Sequence, residues 1–212
     1  MKTIIRYKLT TQDLTTFNDT KWVLNKWKET SGNGELCDSG WLHCYNSPLL
    51  AILLNHIHAR IDNPKLFKCE VEGKCLTDYG LKEGWTRMRI IEEIEIPQLS
   101  NINKVAFGIL CALEVCKEES FVTWANNWLE NKDRSKESAR YAVYRYAANA
   151  TNAANAAVFA RYAAYDAAYY AAAATADAFA RFAAYADAAV YAARNKKNIN
   201  LIKLVKKCLK IS

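Results

Sequence analysis

The chain has 212 residues, 51% of them hydrophobic and 24% charged, with a formal net charge of +7. That is enough for one large domain or two small ones and for an ordinary core without disulfide staples. No stretch offers the roughly 20 apolar residues of a membrane-spanning helix, and the opening MKTIIRYKLTTQD lacks the apolar core of a secretory signal, so the expectation is a soluble, cytoplasmic protein. Seven cysteines without a CxxC pair read as reduced thiols rather than as a disulfide framework.

In chain order, TIIRYKL (3–9) and KWVLNKW (21–27) are β-branched and aromatic runs, read as two strands and followed by a turn at Ser31-Gly32-Asn33-Gly34. Ser47-Pro48 supplies an N-cap and a first-turn proline for LLAILLNHIH (49–58), whose Leu49, Leu50, Leu53, Leu54 and Ile57 share one helical face. LFKCEVEG (66–73) alternates as a strand into Gly73, and a long strand from Trp85 through Ile96 stops at Pro97. From Asn101 the period changes to three and four, with Val105, Ile109, Leu113 and Cys116 on one face and Trp124 and Trp128 one turn apart, which predicts two core-facing helices.

The second half has another composition. Gly108 is the last glycine and no proline follows it, so 104 residues run without a helix breaker. Between 139 and 193, 28 of 55 residues are alanine and nine are tyrosine. Alanines at 150, 153/154, 157, 160, 164, 167/168, 171 and 174 form a stripe with the spacing that brings helix backbones close together. Phe159-Ala-Arg161-Tyr162-Ala-Ala-Tyr165 returns 20 residues later as Phe179-Ala-Arg181-Phe182-Ala-Ala-Tyr185. An unbroken rod of this length would reach on the order of 82 Å, so the segment is expected to fold into hairpins or to pair with a second copy as a dimer. Residues 194–212 carry seven bases and no acid, which leaves 22 bases against 22 acids elsewhere. Their pattern is an amphipathic helix, with Leu201, Ile202, Leu204, Val205, Cys208 and Leu209 opposite Lys203, Lys206, Lys207 and Lys210.

These divisions predict an α+β fold in four parts: a mixed sheet domain at 1–98, a two-helix connector at 99–133, an Ala/Tyr-rich helical module at 134–194 and a basic amphipathic helix at 195–212. Within the sheet domain, His43 and Cys44 at a strand end beside His56 and His58 make the candidate pocket, with Trp41, Tyr45 and Glu93 as its other members. Histidines and cysteines so placed are more often satisfied core residues. Adjacent strand residues face opposite ways, so His43 is not placed to activate Cys44, and Cys37, Cys44, Cys69 and Cys75 lack the close pairs of a zinc site. No phosphate-cradling loop or nucleophile elbow is present, and neither a metal nor a catalytic residue is assigned.

The run Leu36-Cys37-Asp38-Ser39-Gly40-Trp41-Leu42-His43-Cys44-Tyr45-Asn46-Ser47-Pro48, followed by Phe67-Lys68-Cys69-Glu70-Val71-Glu72-Gly73 and the charged strand 89–96, resembles a family of uncharacterised proteins of phages and prophage-bearing bacteria, several with Ala-rich tails. Shorter relatives have Gly-Phe-His-x-Cys, whereas here His43 stands three residues after Gly40. A strand, a Gly-aromatic strand end, a helix and a late acidic strand also look loosely like small ADP-ribosyltransferase-like folds, which implies a glutamate, one of Glu92, Glu93 or Glu95, aimed at the ribose of NAD.

The resulting expectation is a non-enzymatic phage or prophage protein without a cofactor. It would bind a host protein or ribonucleoprotein complex in the host cytoplasm, as an inhibitor of a defence system. The expected contact residues are Arg161, Tyr162, Tyr165, Arg181, Lys203, Lys206, Lys207 and Lys210, the lysines also being suited to unspecific contact with nucleic acid. An NAD-using enzyme and a self-assembling structural protein are the alternatives.

Overall fold

The computed structural model describes residues 4–135, 137–139, 141–142, 190, 192–194 and 199–212. The chain divides into two compact units, Met1–Gln98 and Leu99–Ser212. The first is an antiparallel sheet with short helices and the second is helical, which makes the chain α+β.

In the first unit the strands are β1 (Ile4–Thr10), β2 (Thr15–Thr16), β3 (Thr20–Lys21), β4 (Lys28–Glu29), β5 (Leu42–Cys44), β6 (Lys65–Thr77) and β7 (Glu83–Ile94). Helices α1 (Pro48–Leu53) and α2 (Asn55–His58) lie between β5 and β6. The sheet runs β1-β6-β7-β4, and β5 pairs with β7 ahead of β4 on the same edge. The residue after β5 then reaches the free edge of β1, where Tyr7 and Tyr45 exchange both backbone hydrogen bonds at 2.8 Å. That exchange closes the sheet on itself around an interior holding Trp22, Cys44, Phe67, Cys69, Val71, Met88 and Ile90.

Three local readings are corrected. Residues 22–27 are not a strand, Lys21 being the last residue of β3. Asn25 adopts φ +61, a conformation asparagine tolerates, and Lys26 N–H turns back to the Val23 carbonyl, which leaves Val23 and Leu24 exposed. Strand β6 does not end at Gly73 but passes through it. The residue sits at φ +87 in a bulge where a Cβ would lie 2.2 Å from Thr86 Oγ1, and that hydroxyl accepts the Lys74 N–H at 3.0 Å. The helix read over 49–58 breaks at Leu54, whose ψ of 4 interrupts the turn, although Leu50, Leu53 and Leu54 are all fully buried. Ser47 occupies the N-cap position with extended backbone but makes no side-chain cap bond, and Pro48 opens the helix.

The second unit contains α3 (Asn101–Val115), α4 (Glu119–Leu129) and α5 (Leu201–Cys208). Helix α3 is buried continuously from Val105 to Ala112, the pattern of a helix surrounded by others. Its N-terminus is a capping box between Ser100 and Asn103. The Asn103 amide also donates to the carbonyls of Cys208 and Ile211 at 2.9 and 3.0 Å, so one side chain starts α3 and satisfies the end of α5. Helix α5 packs on α3, and the tail that reads as a separate element therefore belongs to the same compact unit as the helices read as a connector. The alanine stripe at 150–174 and the 20-residue repeat lie outside the described residues.

Burial pushes the Cys208 thiol up from 9.0 to about 12. The unfolded chain then ionises first, so this group's stabilisation is complete below pH 9.0 and is lost as pH rises towards about 12. In urea titrations over that window, Cys208→Ala should lose less stability per pH unit than the unsubstituted chain. Equal slopes would show that the thiol is not held away from water.

Candidate functional site

Trp41, His43 and Tyr45 follow one another at alternate positions along and beside β5, and Glu93 lies away from them. Trp41 is buried and its Nε1 donates to the Gly34 carbonyl at 3.1 Å. That loop is held close, because a Cβ on Gly40 would lie 2.0 Å from the Asn33 carbonyl oxygen. His43, between buried Leu42 and Cys44, points out of the interior and its Nε2 meets the Leu36 carbonyl. Burial holds the imidazole below its usual range, and the charges of Lys8 and Lys82 act the same way against the Leu36 bond. Tyr45 is buried and stacks on the His58 ring at 6.1 Å. Desolvation pushes its phenol well up.

His56 lies in α2, with its side chain outside those described. Glu93 is not part of this cluster. β5 meets only the start of β7, where His43 pairs with Gly84, and Glu93 lies nine residues further along, roughly 30 Å at strand spacing. There it pairs with Phe67 and forms an ion pair with Lys65 at 3.3 Å. Glu92 is engaged by Lys68 at 2.7 Å, and Glu95 lies beyond the end of β7. None of Glu92, Glu93 and Glu95 is therefore brought to Trp41, His43 and Tyr45; the glutamate of β7 that lies beside β5 is Glu83, opposite Cys44.

The interior behind His43 holds charge that the strand pattern does not announce. Arg6 and Lys8 face inward with Ile4, opposite Cys69, Phe67 and Val71 of β6. Arg6 Nε donates to Glu83 at 2.6 Å, and Trp85 Nε1 donates to the same carboxylate oxygen at 2.8 Å. Burial works against the Arg6 charge, but the bond and the charge of Glu83 outweigh it and its pKa is raised. Lys8 is 6% exposed, donates to the His43 carbonyl at 2.7 Å and lies 4.6 Å over the Trp22 ring. Desolvation lowers its pKa, opposed by the thiols of Cys44 and Cys69. Burial pushes the Cys44 thiol well up, as does its hydrogen bond with Cys69, which disfavours a reactive thiolate at Cys44. Cys37 and Cys75 are exposed, and among the described residues no three His, Cys, Asp or Glu side chains could hold a metal together.

The helical unit carries the second cluster. On α5, Leu201, Leu204, Val205 and Cys208 are buried while Lys203, Lys206 and Lys207 are exposed, as is Lys210 just past the helix end; Ile202 is only half-buried and Leu209, at the C-cap, is exposed, because the helix stops at Cys208. Asn200 caps the helix by accepting the Lys203 N–H at 3.0 Å. The four lysines, with Asn200, Leu204 and Glu114, line a groove of about 560 Å³. None of the four is in an ion pair among the described residues. The other expected contact residues, Arg161, Tyr162, Tyr165 and Arg181, lie outside the described residues.

Residues 4–102 match a family model described as a domain of unknown function (DUF7666). That span takes in every strand of the first unit and the first residues of α3. No curated protein and no solved structure matches the chain. Among the described residues no helix is long and apolar enough to cross a membrane.

Proposed function

We propose that the chain is a binding protein that engages a nucleic-acid-bearing assembly through the lysine face of α5. One observation carries this reading: four lysines without ion-pair partners among the described residues line one groove on a helix whose other face is buried. Clustered ammonium groups attract phosphates by releasing condensed counterions. Lys203 and Lys207 are four residues apart, about 6 Å along the helix, which spans about two phosphate steps of roughly 3.4 Å on one strand, and Lys210 follows just past the helix end. Lysine is a point charge without the fork of arginine, which favours backbone attraction over base reading. The likeness to phage and prophage proteins makes a ribonucleoprotein of the host the natural partner, and occupation of its nucleic acid the means of blocking a defence complex.

The test is binding of a labelled mixed-sequence single strand of about 16 nucleotides to the full chain and to a Lys203→Gln/Lys206→Gln/Lys207→Gln/Lys210→Gln variant. The surface substitutions should leave the helical circular dichroism and melting unchanged, weaken binding at low salt, and abolish the roughly 50-fold fall in affinity between 50 and 200 mM salt that four contacts produce. Equal affinity of the two proteins would contradict the assignment. Equal affinity of the unsubstituted chain for polyglutamate would transfer the site to an acidic protein partner.

A further inference from the structure

In the sheet unit, Cys37 is exposed in the loop before β5, and Lys82, in the turn before β7, donates to its Sγ at 3.3 Å across 45 residues of chain. Lys82 belongs to none of the ion pairs among the described residues, so no carboxylate there competes with the thiol for its amine. Both residues stand between fixed neighbours. The Leu36 carbonyl meets the His43 ring, and the Leu36 side chain fills the space at Gly84, where a Cβ would lie 2.5 Å from Leu36 Cδ1. Asp38 donates its N–H to the Glu35 carbonyl at 2.9 Å, and its carboxylate accepts the Glu35 N–H at 2.8 Å. On the other side, the Lys82 carbonyl accepts from Asp78 at 3.0 Å, Leu81 is 1% exposed and Glu83 is held by Arg6. Cys75, the other exposed thiol, turns instead to the Leu76 carbonyl at 3.5 Å.

We propose that Cys37 and Lys82 form a reversible covalent clasp when a peroxide oxidises the thiol, through a bond between Cys37 Sγ and Lys82 Nζ. The peroxide takes two electrons from sulfur, its O–O bond breaks, and Cys37 becomes a sulfenic acid with release of one water. The neutral amine of Lys82 then attacks that sulfur with its lone pair. The S–O bond breaks, and its oxygen leaves as a second water with a proton from the nitrogen. The product is two hydrogens lighter than the starting pair, and a thiol reductant returns the amine and the thiol by attack at the same sulfur. Because the amine already touches the sulfur, the second step needs no rearrangement of the backbone. The clasp ties the loop before β5 to the turn before β7 at the end where those strands pair. It is independent of the lysine face of α5.

Peptide mapping by mass spectrometry, after the reduced full chain is treated with hydrogen peroxide at mildly alkaline pH and digested with trypsin, tests the assignment. The Cys37 peptide should be found joined to the peptide containing Lys82, lighter by about 2 Da than their sum, uncleaved after Lys82 and separated again by dithiothreitol. Lys82→Arg keeps the charge but replaces the amine, so its Cys37 should pass on to the sulfinic and sulfonic acids without a link. Cys37→Ser should give no link either. Both substitutions lie at the surface, and unchanged circular dichroism shows that the variants are folded. Recovery of Cys37 from the unsubstituted chain only as sulfinic or sulfonic acid or in a disulfide, with the Lys82 peptide free, would overturn the clasp. So would equal over-oxidation of Cys37 in the unsubstituted chain and the Lys82→Arg variant.

Discussion

Replacing Trp128 with alanine is expected to lower the stability of the helical unit by about 3–5 kcal/mol, the range for removing a fully buried large aromatic side chain. Trp128 is 0% exposed, and the Arg134 guanidinium lies 4.6 Å over its ring. Arg134 Nε also donates to the Trp128 carbonyl at 2.9 Å, and its Nη1 reaches the Ser212 carbonyl at 2.8 Å. The ring thus supports the side chain that ties the end of α4 to the end of the chain, and its loss opens a cavity and releases that tie together. Trp128→Phe should cost less than half as much, because phenylalanine refills most of the volume and removes an indole N–H that has no partner among the described residues. Urea unfolding followed by far-ultraviolet circular dichroism measures both. An alanine variant within about 1 kcal/mol of the unsubstituted chain would contradict the packing described.

In the sheet unit the largest polar effect is expected at Glu83. Its carboxylate accepts from both Arg6 and Trp85, and the side chains of Arg6 and Glu83 are only 23% and 12% exposed. Glu83→Ala leaves an arginine in the interior without its counter-charge and an indole N–H without its acceptor. Because Arg6 keeps some contact with water, the expected loss is about 3 kcal/mol, the lower end of the range for breaking a buried pair. Removing both charges as Arg6→Leu/Glu83→Leu should recover at least half of that loss, since no ion is then left unpaired. If the double substitution is as damaging as the sum of the single ones, the pair is not coupled as its geometry requires.

The parts legible in the sequence are those in which one periodicity acts alone. The tail shows this most directly: of six apolar side chains read onto one face, Leu201, Leu204, Val205 and Cys208 become buried and the lysines remain in water, while Ile202 is half-buried and Leu209, past the last turn, is exposed. The run 3–9 is legible as a strand from its β-branched and aromatic composition although β1 does not alternate in burial, and the strand read over 85–96 is present as Glu83–Ile94. Residues 21–27 had the composition of a strand, but the conformation of Asn25 and its bond to the Ile90 carbonyl decide their path, and neither is a property of local composition. The candidate pocket failed at Glu93 for a topological reason. A long strand offers only its first residues to β5, and how far along it a partner pairs is invisible before the register is known. The inward Lys8 was unreadable because a lysine in a strand reads as an outward residue, and only the closure through Tyr7 and Tyr45 places it against Trp22.

The most direct measurement for the lysine face is the dependence of single-strand affinity on salt. Four lysine contacts give a logarithmic slope near −2.8, an affinity that falls roughly 50-fold between 50 and 200 mM salt. Each lysine replaced by glutamine should reduce that slope by about 0.7. A slope near zero, or one that stays the same when all four lysines of α5 are replaced, would contradict the assignment of this helix as the surface that grips nucleic acid.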